Sequence, residues 1–170
     1  MMNEATIVSD ARAGRQTPII ISIVLALMLA MAPLPAWAET FRPDWVMLTI
    51  IFWSMTFPGN YSVGVAWIVG LIVDVAQGTL LGQHALAFAV IAYVTVKFHL
   101  QLRQFPMLQL TATVFAMLAL YQFILFWING VAGINAPVVV YWGPVLSGTM
   151  IWPLVSLVLD GVRQRVGRRR

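Results

Sequence analysis

Six apolar stretches, at residues 18–37, 44–57, 62–78, 85–98, 107–129 and 138–159, are marked off from one another by Pro, Gly and charge. The charged residues within them are Asp44 at the opening of the second, Asp74 inside the third, and Lys97 beside the end of the fourth. A soluble helix or strand needs a polar face, and these stretches offer none. They suit a bilayer, whose hydrocarbon core is crossed by about 20 apolar residues of helix. The composition agrees, at 61% hydrophobic and 9% charged. A chain of 170 residues has room for six such spans with short connections. The expected fold is an all-α polytopic membrane protein of six transmembrane helices. A short cytoplasmic tail is expected at residues 1–16, the membrane domain at 17–160 and a basic cytoplasmic tail at 161–170.

The second and fourth stretches hold only 14 residues each, a length at which a buried or re-entrant segment competes with a true span. Basic residues give an independent test, because cytoplasmic loops carry Lys and Arg in excess. With six spans and a cytoplasmic N-terminus, nine of the ten basic residues fall inside: Arg12, Arg15, Lys97, Arg103, Arg163, Arg165 and Arg168 to Arg170. Arg42 alone falls outside. Losing either short span would place Lys97 and Arg103 on the side of Arg42, so an even number of spans with both termini cytoplasmic is preferred.

Trp37, Trp45, Trp127 and Trp142 fall near outer helix ends, as an interfacial belt would place them, whereas Trp53, Trp67 and Trp152 lie deeper and are expected to pack. The first stretch, with Arg12 and Arg15 before it and "APLPAWAET" after it, also has the outline of a secretory signal with a small-x-small site at Ala36 to Ala38. An uncleaved first span is the preferred reading.

Several chemistries find no footing. The chain has no cysteine, hence no disulfide framework, thiolate metal site or Cys nucleophile. The net charge of +4 does not point to nucleic acid, because five of the ten basic residues lie in the last eight positions. No nucleophile, base and oxyanion donors assemble in the sequence, and His84 and His99 lack ligand partners at helical spacing and are expected in loops. Neither an enzyme, nor a metal site, nor a cofactor is expected. Glu39 and Asp44 flank Arg42 and are expected to be interface charges that pair with it or with a partner.

Asp74 is the residue that calls for a reason. A carboxylate inside a span costs on the order of 3 kcal/mol on insertion scales, so it turns to protein or water and away from lipid. Steps of four from it reach Ser62, Ala66, Gly70 and Gly78, a face of small side chains that lets another helix come close. The preferred reading is a helix-packing or partner interface. Helix-end capping with solvation, and proton or ion coupling, are the alternatives.

These residues resemble a known family. "FRPDWVMLTIIFW" at 41–53, "GLIVDVAQGTLLGQHALAF" at 70–88 and "AYVTVKFHLQLR" at 92–103 are similar to the rod shape-determining MreD family of bacterial membrane proteins. The most characteristic element is the spacing of Gly70, Asp74, Gly78 and Gly82, followed by His84 to Leu86. Arg42 and Pro43 match the loop that opens the second helix, and Trp152 and Pro153 the last helix. The connection "FPGNYSVG" departs from the family in lacking a basic residue. The resemblance implies a non-catalytic inner-membrane scaffold of the cell-elongation complex, paired with MreC and through it with RodA, its penicillin-binding transpeptidase and MreB filaments. It also implies a fold like the substrate-binding components of energy-coupling-factor transporters, which makes a small-molecule (vitamin-like) binding component the rival function. The residues expected to carry structure and interaction are Arg42, Pro43, Ala66, Gly70, Asp74, Gly78 and Gly82.

Overall fold

The computed structural model describes residues 4–58, 61–134 and 137–167, and every regular element among them is helical. In chain order these are α1 (Glu4–Met31), the short turn α2 (Ala36–Glu39), α3 (Trp45–Thr56), α4 (Tyr61–Gln77), α5 (Gln83–Leu102), α6 (Met107–Val131) and α7 (Val138–Gly167). Apart from the short turn α2, the helices among the described residues fall on the six apolar stretches. Helix α1 runs back to Glu4 without a break across residues 4–16, and α7 continues past residue 160.

Among the described residues three helices are long and apolar enough to cross a membrane: Gln83–Leu102, Met107–Val131 and Val138–Gln164. The apolar helices Thr17–Met31, Trp45–Thr56 and Val63–Gln77 are shorter. The fourth stretch therefore grows to 20 residues, because α5 takes in Gln83 and His84 at one end and His99 to Leu102 at the other. His84 and His99 are thus helical residues, correcting their expected place in loops. At the second end Lys97 reaches back over the ring of Tyr93, 6.0 Å from its centroid, a cation–π distance.

Helix α3 stays short and sits at the centre. Eleven of its twelve residues, Val46 to Thr56, are buried, so it is apolar all round because protein surrounds it all round. At about 18 Å it is shorter than a bilayer core and relies on its neighbours α1, α5 and α7. Trp53 anchors one side: its Nε1 donates to Ser22 Oγ of α1 at 2.7 Å, and its ring stacks on Phe57. Trp152 is also buried, but Trp67 is half exposed on the outer face of α4, so the expectation that it packs inside fails. Helix α4 can place a tryptophan outward because its packed side is the small-residue side.

Candidate functional site

Helix α4 ends at Gln77, and Gly78 follows with φ +64, the left-handed conformation that closes a helix and that glycine adopts without a Cβ clash. The N–H of Thr79 then donates to the carbonyl of Asp74 at 3.1 Å, completing a Schellman turn. Gly82, at φ +99, is the N-cap of α5 and has no side chain to cap with. The side chain of Asp74 supplies what Gly82 lacks. Its Oδ2 accepts from the N–H of Gly82 at 2.8 Å and of Ala85 at 3.4 Å, and its Oδ1 from the N–H of His84 at 3.0 Å. The N–H groups of Gln83 and Leu86 find the carbonyls of Leu80 and Gly82. All the donors at the start of α5 are thereby satisfied, with a carboxylate at the positive end of the helix dipole.

Two side chains complete the shell. Thr79 Oγ1 donates to Asp74 Oδ1 at 3.0 Å, and His84 Nδ1 lies 2.7 Å from the same oxygen. Since a carboxylate only accepts, Nδ1 carries the proton of that bond. Five donors on about four lone-pair sites leave Asp74 no free acceptor, and the residue is 1% exposed. Asp74 is turned inward, to the helix that follows its own.

The small-residue face serves the same pairing. A Cβ on Gly70 would lie 2.4 Å from Ala85 Cα and 2.5 Å from Ala85 N, so the backbones of α4 and α5 touch there. Ala66 is buried one turn before. Gly78 and Gly82 have open space around them. Of the four glycines and alanines in the pattern, Gly70 admits the backbone of α5, Ala66 is buried, and Gly78 and Gly82 set the turn between α4 and α5.

A second polar pair lies beyond His84. The rings of His84, Phe88 and Tyr121 pack together, with His84 and Tyr121 centroids 6.4 Å apart and Phe88 and Tyr121 5.6 Å apart. The hydroxyl of buried Tyr121 donates to Asp44 Oδ2. Asp44 is the N-cap of α3, accepting on Oδ1 from the N–H of Met47 at 3.0 Å. A seam of Asp74, His84, Tyr121 and Asp44 thus joins α4, α5, α6 and α3. Hydrogen bonds link Asp74 to His84 and Tyr121 to Asp44, and the rings of His84 and Tyr121 meet between them. Tyr121→Phe is expected to lower stability in detergent by about 1.5–3 kcal/mol, the range for a bond to a charged acceptor, while His84→Phe leaves the Asp44 bond intact.

Arg42 does not pair with Glu39 or Asp44. It donates to the carbonyls of Ala30 and of Ala32, the latter at 2.6 Å, and so closes the C-terminal end of α1. Pro43 is buried beside it, and its carbonyl accepts from the N–H of Trp45. The sequence reading missed His84 and Tyr121 as partners of the two carboxylates. The available signal for His84 was a polar residue two positions after a glycine cap; nothing in sequence spacing ties Tyr121 to a residue 77 positions away.

The family model described as rod shape-determining protein MreD matches residues 12–161. The Rod shape-determining protein MreD of Haemophilus influenzae is 25% identical over 146 residues, covering 84% of this chain and 88% of that protein. No solved structure matches the chain.

Proposed function

Because the chain belongs to the MreD family of rod shape-determining proteins, we propose that it is a non-catalytic scaffold of the bacterial inner membrane that links peptidoglycan synthesis to partner proteins through helix packing. Family membership carries this reading. Its partners are MreC and, through MreC, RodA, its penicillin-binding transpeptidase and MreB filaments. The six apolar helices cross the membrane with both termini cytoplasmic, in keeping with the distribution of Lys and Arg. The short α3 spans within a collar of longer helices, and the bundle has the general form of a vitamin-transporter substrate component.

The disposition of side chains supports a scaffold over a ligand binder. The polar groups of the seam are engaged with one another and with helix ends. The cleft between α6 and α7, about 540 Å³, is lined by Phe123, Phe126, Val138 and Trp142, with Gln122 and Tyr141 as its polar members. Tyr141 Oη already accepts from Asn129 Nδ2 at 3.1 Å. A vitamin pocket gathers several converging polar groups, and this cleft does not. Outward faces are apolar instead, with Trp67, Ile68, Ile72 and Val75 on α4 exposed. Such faces suit lipid and neighbouring helices alike.

In a rod-shaped bacterium depleted of its own MreD, this chain is expected to restore rod shape. Photo-crosslinkers at Ile72 or at Phe123 are expected to capture MreC from one of the two faces. Restored shape with neither MreC nor RodA recovered from any outward position would remove the scaffold. Thermal stabilisation by one member of a vitamin panel would move the function to ligand binding.

A further inference from the structure

At the end of the bundle where α5 stops and α6 starts, a second cleft of about 290 Å³ opens between α3, the α5–α6 turn and α7. Phe52, Met55 and Phe105 form apolar wall, while Arg103, Asp160 and Arg163 bring charge. Arg163 is held by Asp160 at 3.1 Å. Arg103 is exposed, and among the described residues no carboxylate pairs with it. The cleft therefore carries one uncompensated positive charge next to an apolar wall. Helix α6 begins at the same place, and its N-cap, Pro106, gives no side-chain cap, so the first N–H groups of a 25-residue helix add partial positive charge.

We propose that this cleft holds the phosphate of an anionic glycerophospholipid, with Arg103 and Arg163 on the phosphate oxygens and the acyl chains along the apolar flank. Guanidinium groups match phosphate by paired N–H donors, and the single net charge suits a monoanionic headgroup. The volume, just under the range of about 300–1,000 Å³ for pockets that enclose a small molecule, takes a headgroup and leaves the chains outside. A water-soluble anion would use the arginines but not the apolar wall. The bound lipid would tie the ends of α3, α5, α6 and α7 together at the membrane surface.

The inference rests on the chain being a membrane protein, which recovery of the wild type in the membrane fraction checks on its own. Native mass spectrometry of full-length protein in detergent, given equal amounts of phosphatidylglycerol and phosphatidylcholine, is expected to retain phosphatidylglycerol. Arg103→Gln and Arg163→Gln should each weaken that retention about fivefold, the equivalent of about 1 kcal/mol per basic side chain near the surface. Arg103→Lys should keep part of it. Equal retention of the two lipids, or full retention by the double Gln variant, overturns the site. So does loss only on removing Arg168 to Arg170, since the tail would then be the binder, and so does competition by inorganic phosphate as strong as by phosphatidylglycerol. Membrane-inserted wild type with any of these results refutes the cleft alone; wild type missing from the membrane refutes both readings.

Discussion

Asp74→Leu is expected to unfold the α4–α5 turn, at a cost of about 3–5 kcal/mol. The substitution removes the acceptor of three backbone N–H groups, the Thr79 hydroxyl and the His84 ring together. His84 and Ala85 are buried, so their donors find no water in compensation, and each buried orphan costs about 1–3 kcal/mol. Leucine in a membrane helix inserts as readily as any residue, so insertion and stability should part company: normal membrane fractionation, lowered melting temperature in detergent, and new protease sensitivity near residues 78–82. Asp74→Asn keeps one carbonyl oxygen and should fall between. His84→Ala removes only one of the five bonds and should cost about 1–2 kcal/mol. An Asp74→Leu protein with wild-type stability that has lost its partners would show the carboxylate acting outward, against its burial.

The second large effect belongs to Gly70. Gly70→Val places a branched side chain where even a Cβ meets Ala85 Cα at 2.4 Å, and backbone atoms of α5 cannot step aside as a side-chain tip would. Overpacking in a core costs about 1–3 kcal/mol when side chains can adjust, so a clash with backbone is expected to exceed about 3 kcal/mol and to separate the helices. Gly70→Ala should already be harmful. At Gly64 of the same helix an added Cβ would meet nothing within 4 Å, so Gly64→Ala is the matched control and should be neutral or slightly stabilising. Equal melting temperatures for Gly64→Ala and Gly70→Ala would mean that α4 and α5 do not touch as described.

Both substitutions strike one junction, and the junction is where sequence and structure informed each other most. The pattern of small residues around Asp74 suggested a close helix approach, and α5 makes it at Gly70, with Ala66 buried one turn before. The same pattern misled at Gly78 and Gly82, which continue the spacing in the sequence but lie past the end of α4. A step of four has meaning only while the helix lasts, and the left-handed φ of Gly78 ends it. Arg42 shows a similar limit. Its neighbours Glu39 and Asp44 suggested ion pairs, yet the exposed carbonyls at the end of α1 took the guanidinium, a demand that only the chain reversal creates.

The amino-acid order alone made legible that the chain is helical and where its six apolar helices lie, because both depend on local hydropathy and spacing, while the likeness to a family rested on the identity and order of particular residues around Asp74. Only the folded arrangement decided which short helix would lie enclosed at the centre, and what the carboxylates of Asp74 and Asp44 would bind. Those outcomes turn on groups 8 to 11 residues away for Asp74 and 77 for Asp44, brought within hydrogen-bond distance by helix ends that periodicity cannot place in space.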